Sequence, residues 1–224
     1  MVEALKRRRA ARGSGEQLRE EILDATTELL LETGHAKAVS IRAVAQRVGV
    51  TSPSIYLHFA DKDALLDAVC ARYFERLDEE MQRVAVGKSS TIEVLRAQGL
   101  AYVRFAREPP QLYRIATMGE GSPGSDVDMT LASSAFVHMR DSIETLMAEG
   151  IYPQGDSTAA ALELWTAVHG VAALLIAKPY LPWGDAEQFA DRVLSAVCCG
   201  RIVYGIVGQD ATPEETIAKL QELR

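Results

Sequence analysis

The sequence predicts an all-α protein, an N-terminal three-helix unit containing a helix-turn-helix followed by a larger helical body. Three observations carry this. No stretch sustains the alternating apolar and polar pattern of a half-buried strand. Apolar residues recur instead at i, i+3, i+4 and i+7 between Ser, Thr or Asp start signals and Gly or Pro stops. Residues 40–62, SIRAVAQRVGVTSPSIYLHFADK, read as two short helices joined by a tight turn.

Within that stretch Ser40 stands where a side chain caps the free amides of a first helix, with Val39 and Val44 at the flanking staple positions. Ile41, Val44, Ala45 and Val48 form one buried stripe, while Arg42, Gln46 and Arg47 point elsewhere. Gly49 stops the helix, because it takes a left-handed backbone without a Cβ penalty. Ser52 and Pro53 then give a second start, a cap followed by the residue whose fixed φ suits the first helical position. Ile55 and Phe59 lie one turn apart and face the first helix. Pro53, Ser54, Leu57 and His58 project from the other side, with Tyr56 at its edge. Such a face suits a major groove, which admits one α-helix. The same pattern also describes a plain helical hairpin buried in an all-α core.

The segment VSIRAVAQRVGVTSPSIYLHFADKDALLDAV resembles the DNA-binding segment of TetR-family transcriptional repressors. Those proteins carry a Gly-Val turn, a Tyr-x-His-Phe recognition helix and a Lys opening the next helix, matched here by Gly49-Val50, Tyr56-Leu57-His58-Phe59 and Lys62. The match covers roughly residues 16–69. Farther on, YVRFAREPPQLYRIATMG and the WTAVHG run from Trp165 to Gly170 are similar to the TetR subgroup with a Trp, His and Gly signature in its C-terminal domain. The resemblance implies a DNA-binding domain over residues 1–62 and a ligand-binding and dimerisation domain over residues 63–224. It implies DNA contacts from Ser40, Arg42, Thr51, Ser52, Pro53, Ser54, Tyr56, Leu57, His58 and Lys62. Ser54, Tyr56 and His58 are expected in the groove with Leu57 near a thymine methyl and Arg42 beside them, and Ser40 and Lys62 on phosphate. Leu57 departs from the family pattern, which often has a larger aromatic or polar residue there.

Charge is divided unevenly along the chain. Its net charge is -7. Residues 1–60 hold nine Lys/Arg against seven Asp/Glu, and residues 61–224 fifteen against twenty-four. Residues 1–12 carry Lys6, Arg7, Arg8, Arg9 and Arg12 against Glu3 alone, a basic arm that either follows phosphates and the minor groove or serves as a solubilising tail. An acidic body with one basic end favours docking on DNA in one orientation. With 48% hydrophobic and 25% charged residues, no signal peptide and no uninterrupted apolar run of about 20 residues, a cytoplasmic protein with no membrane partner is expected. Cys70, Cys198 and Cys199 lack C-x-x-C spacing, so reduced buried thiols are favoured over a disulfide framework, a vicinal redox or metal sensor being the other reading.

Taken in order, Ser14-Gly-Glu-Gln17 reads as a capping box, and Leu18, Ile22, Ala25 and Leu29 as one stripe ending at Gly34. Residues 61–86 read as one helix of roughly 39 Å at ~1.5 Å per residue. Ser90-Thr-Ile-Glu93 is another capping box, and Pro109-Pro110 ends the helix that it opens. A short helix over 111–118 precedes a turn with the literal pattern Gly119-x-Gly121-x-x-Gly124. With no strand before it, this reads as a loop and not a dinucleotide fingerprint. Helices over 129–149, 158–177 and 185–207 follow, and Thr212-Pro213-Glu-Glu215 caps a last one.

The helices over 158–177 and 185–207 are apolar around much of their circumference, so each must be covered on more than one side. A second copy is the simplest cover, with small residues such as Ala172, Ala173, Ala196, Gly200 and Gly205 allowing close approach, and the resemblance implies a four-helix dimer interface. The other reading is a helical pair buried within a monomer. The four histidines are scattered, with neither H-E-x-x-H nor G-x-S-x-G, so no enzyme, catalytic residue, metal or cofactor is expected. Tyr102, Phe105, Leu112, Tyr113, Met118, Phe136, Met139, Ile143, Trp165 and His169 are either plain core or the lining of a pocket for a small apolar effector. The function expected is a dimeric repressor that binds an inverted-repeat operator in double-stranded DNA and is released by that effector. Its rivals are a helical ligand-binding protein or enzyme whose N-terminal helices only pack, and a DNA-binding regulator with no inducer.

Overall fold

The computed structural model describes residues 14–118 and 133–223, which fold into two compact units. The basic arm of residues 1–12 and the turn over 119–124 lie outside the described residues. No strand occurs among those described, which form ten α-helices and one 3-10 turn.

The first unit comprises α1 (Ser14–Thr33), the 3-10 turn Ala36–Ala38, α2 (Ile41–Val48), α3 (Ser52–Tyr56), the start of α4 (Lys62–Ala85) through Phe74, and α6 (Pro110–Met118). The stripe expected on α1 is widened: Leu18 and Leu29 are half-buried, while Ile22, Leu23, Ala25, Thr26 and Leu30 are buried. The helix is covered twice, by α2 and by α6. The buried Thr26 hydroxyl is satisfied by donating to the Ile22 carbonyl at 2.7 Å. Gln17 donates its Nε2 to Glu21 at 3.1 Å, along the helix.

Ser40 accepts from the Ala43 amide at 3.2 Å, and Val39 and Val44 are both buried, as a capped and stapled start requires. Gly49 ends α2 at φ 77°, in the left-handed region, and the amides of Gly49 and Val50 both donate to the Ala45 carbonyl. The start of α3 differs from expectation by one residue. Thr51, with extended φ -90° and ψ 152°, is the cap position, and Ser52 already lies in the helix. Ser52 therefore supplies no cap, and Thr51 caps no α3 amide with its side chain, its hydroxyl pairing with the Ser54 hydroxyl at 3.0 Å. Asp61 caps α4 by accepting from the Ala64 amide at 2.8 Å.

The second unit comprises the rest of α4 with α5 (Thr91–Ala106), α7 (Ser134–Ala148), α8 (Ser157–Ala177), α9 (Ala186–Val207) and α10 (Pro213–Glu222). The domain boundary expected after Lys62 thus falls at the first residue of a continuous helix that contributes to both units. Side-chain caps start five of these helices: Ser90, Ser133, Asp156, Asp185 and Thr212. Thr212 and Glu215 make the full reciprocal box. At α5 the box is altered, because the Glu93 carboxylate turns to the amide and hydroxyl of Ser89. The core gathers Phe136, Met139, Ile143, Leu146 and Met147 of α7 with Leu95, Ala160, Ala161, Leu164 and Tyr152.

α8 packs against α5, α7 and α9. By length and composition alone it is long and apolar enough to cross a membrane. Glu163 interrupts its apolar run, and that carboxylate pairs with the buried Arg201 of α9. Arg201 also lies 5.7 Å from the Tyr152 ring centroid, so the charge meets a carboxylate on one side and a π face on the other. Ion pairs tie α5 to α9 at Arg96–Asp191 and Arg104–Glu187. Of the small residues expected to admit a partner, Ala172 is 0% exposed within the protomer, Ala173 and Gly200 are half-buried, and Ala196 and Gly205 are exposed. Leu174 at 50% and Tyr204 at 43% lie open on the same two helices.

Candidate functional site

α3 is only five residues long, yet it is divided sharply between an inside and an outside. Ile55 is 0% exposed and Phe59 5%, so the inner side is anchored in the first unit, and Arg19 of α1 sits over the Phe59 ring at 5.3 Å. Tyr56 is 53% exposed and Leu57 85%, two adjacent large side chains on the outer side of the same turn. Thr51 and Pro53 are also exposed, and Ser52, Ser54 and His58 are partly so. The amides of His58 and Phe59 donate to the Ile55 carbonyl at 2.9 and 3.0 Å, extending the turn through the end of the motif.

Ser40, Arg42 and Lys62 complete the set. Arg42 and Ser40 are exposed, Lys62 half so, and neither cation makes an ion pair among the described residues. The Ser40 oxygen accepts the α2 cap bond, an arrangement that leaves its O–H able to donate to a phosphate. Arg47, the other cation of α2, is engaged: its guanidinium donates to Glu32 at 2.8 and 2.7 Å and to Glu28 at 3.2 Å. Those hydrogen bonds hold Arg47 charged and keep the Glu32 carboxyl below its ordinary range. The first unit therefore presents an apolar and hydroxylated helix face flanked by Arg42 and Lys62, a combination that can meet base edges in a groove and phosphates beside it.

The residues expected around an effector divide between the units. Leu112 and Tyr113 belong to the first, where they are 7% and 1% exposed. Tyr102, Phe105, Phe136, Met139, Ile143, Trp165 and His169 belong to the second. Phe136, Met139 and Ile143 are members of its core, and Trp165 packs against that core. Tyr102 is buried and Phe105 half-buried. Met118 closes α6, but its side chain lies outside the described residues. The Trp165 and His169 rings stack with centroids 4.9 Å apart and planes 28° apart, as a one-turn separation on α8 permits. Burial pushes the His169 pKa down. Sequence reasoning missed Arg201 and Gln98, both buried. Their only signal was a polar residue at a helical position whose neighbours are apolar.

Two family profiles match the chain. "Bacterial regulatory proteins, tetR family" covers residues 22–69, and "Tetracyclin repressor-like, C-terminal domain" covers residues 95–197. Together they account for about two thirds of the chain. The class D tetracycline repressor of Escherichia coli is 41% identical over 58 residues, 26% of each chain. The transcriptional repressor KstR of Mycolicibacterium smegmatis is 40% identical over 68 residues, 30% of this chain and 33% of that one. The nucleoid occlusion factor SlmA of Vibrio vulnificus is 30% identical over 97 residues, 43% of this chain and 50% of that one. The chain thus spans between a quarter and a half of the length of these relatives. Among solved structures, a Rhodococcus sp. RHA1 protein of unknown function superposes with TM-score 0.70 at 24% identity, over 88% of this chain and 99% of that one. A TetR-family transcriptional regulator from Pectobacterium atrosepticum gives TM-score 0.61 at 23% identity, over 84% and 94%. With both the helix-turn-helix and the C-terminal body matched by profiles of one family, the chain belongs to the TetR family of bacterial regulatory proteins.

Proposed function

We propose that this chain is a cytoplasmic, dimeric transcriptional repressor that reads an inverted-repeat operator through α3 and is released by a small apolar effector. The observation that carries the reading is the exposure of Tyr56 and Leu57 on a helix whose opposite side, Ile55 and Phe59, is buried. Ser54, Tyr56 and His58 meet base edges, Leu57 meets a thymine methyl, Arg42 reaches the groove from α2, and Ser40 and Lys62 hold phosphates. Two such helices on a two-fold axis require half-sites about one helical turn apart, roughly 34–36 Å. The open side chains of α8 and α9, Leu174 and Tyr204 among them, support pairing with a second copy through those helices. The family supports a regulator over an enzyme.

The effector acts by binding more tightly to a dimer whose recognition helices no longer match the half-site spacing, since only a difference in affinity between two states shifts their populations. Stacked Trp165 and His169 support an aromatic or lipid-like guest contacting that part of α8. The test is footprinting on DNA flanking the protein's own gene, followed by operator binding with and without a panel of hydrophobic compounds, in the wild type and in Trp165→Ala and His169→Ala. A protected palindrome, released by a compound that acts poorly on the two variants, is expected. No specific protection overturns the regulator. Protection that no compound weakens leaves a DNA-binding regulator without an inducer, a reading to which the similarity to a nucleoid occlusion factor lends weight.

A further inference from the structure

Between α5, α8 and α9 lies a cavity of about 150 Å³ to which none of the residues expected around the effector contributes. Its walls are Ile92 and Leu95 of α5, Leu164 and Ala167 of α8, and Leu194 and Val197 of α9. Two of the helices that wall it, α5 and α9, meet closely beside it. At Gly99 the backbone of α5 comes so close to Leu194 that an added Cβ would stand 3.1 Å from its Cδ1. The Arg96–Asp191 and Arg104–Glu187 pairs fasten the same two helices. Side chains of both helices near that contact line the cavity, and no larger residue fills it from α8, where Ala167 stands.

The polar groups at the cavity are neutral or already matched. Arg96 is held by both oxygens of Asp191, at 2.6 Å each. Ser195 lines the cavity with a hydroxyl 3.5 Å from the same carboxylate, a contact at the outer limit of hydrogen bonding. The Cys198 thiol is pushed up by burial, so it stays protonated and behaves as a small apolar group. The cavity is partly open, with the exposed Cys199 among its lining residues, and a space of about 150 Å³ lined by aliphatic side chains accepts a molecule the size of benzene.

We infer that this cavity is a binding site for a neutral apolar molecule of about one aromatic ring, carrying at most one uncharged polar substituent directed at Ser195. A charged guest is excluded because no unmatched countercharge faces the cavity. The site shares α8 and α9 with the proposed pairing face but is tested without DNA, so failure to bind the guest and failure to bind an operator are read separately.

The experiment titrates the full chain with fluorobenzene, observed by fluorine NMR. Saturable binding at one site, displaced by toluene, is expected, with benzoate binding at least tenfold more weakly. Ala167→Leu and, separately, Ser195→Leu fill the space from two different helices, and each should weaken fluorobenzene at least tenfold. In a Cys199→Ser protein, saturating toluene should slow alkylation of Cys198 by N-ethylmaleimide severalfold. The proposal is overturned by the absence of saturable binding, by benzoate binding as well as fluorobenzene, or by unchanged affinity in the folded filling variants. Should neither variant fold, Cys198 alkylation unaffected by toluene overturns it.

Discussion

Arg47 on α2 grips Glu32 on α1 through two guanidinium nitrogens, at 2.8 and 2.7 Å, so one of the two cations of α2 serves the scaffold. Lys62, at the start of α4, makes no such pair among the described residues. A phosphate contact releases counterions, which a cation already matched within the protein does not. Lys62→Ala should therefore lower the slope of log affinity against log salt by ~1. Arg47→Ala should leave that slope unchanged. Fluorescence anisotropy on operator DNA across a salt series decides between them, and equal slopes in the wild type and Lys62→Ala would remove Lys62 from the phosphate set.

The division of α3 into inside and outside separates stability from recognition. Ile55→Ala empties a fully buried site and should cost about 2–5 kcal/mol of folding stability. Tyr56→Ala and Leu57→Ala remove exposed groups and should change stability by less than about 0.5 kcal/mol while weakening operator binding. Arg42→Ala should cost about 1–3 kcal/mol of binding if its guanidinium meets a base. Denaturant melts and binding isotherms on the same preparations would expose any mixing of the two effects.

Pairing through α8 and α9 makes opposite predictions for residues that look alike in sequence. Ala172 is buried in the protomer, so Ala172→Asp should destabilise it by about 3 kcal/mol or more, roughly 6–12 °C in Tm. Leu174 is half exposed, and an added Cβ at Gly200 meets nothing within 4 Å. Leu174→Glu and Gly200→Glu should keep the fold, yield monomers in analytical ultracentrifugation and lose operator binding together. A monomer with full operator affinity would refute pairing through this face.

His169 gives the second unit a pH dependence in the direction set by its burial. Its folded pKa lies below the ordinary 6.5, so the unfolded chain takes up the proton first. Stability is complete above about pH 6.5 and is lost as pH falls from there towards the depressed folded value. The carboxylates Glu32, Glu93 and Asp191, whose pKa values are lowered by hydrogen bonds, lose their contribution at more acidic pH, below their ordinary values of 4.5 and 3.8. Chemical denaturation between pH 7.5 and 5.5 should show falling stability in the wild type and a flatter profile in His169→Gln. Parallel profiles would assign the slope to other groups.

The sequence by itself determined what depends on residues a few positions apart. The Ser40 cap, the Gly49 stop, the capping box at Thr212 and the opposed faces of Ile55 and Leu57 follow from hydrogen bonds and side-chain directions spanning one turn of helix. The outward face of α3 was legible for that reason, apart from the one-residue displacement of the α3 cap to Thr51. Tertiary structure alone decided which side of an apolar helix is covered. On α8 the pattern is apolar nearly all round, so composition could not separate buried Ala172 from exposed Leu174, and only contact with α5, α7 and α9 does so. It also decided that Leu112 and Tyr113 pack in the first unit, that Arg47 is matched by α1, and that α5, α8 and α9 line a cavity. Each of these joins residues far apart in the chain, where packing of several surfaces at once fixes the outcome and no local period records it.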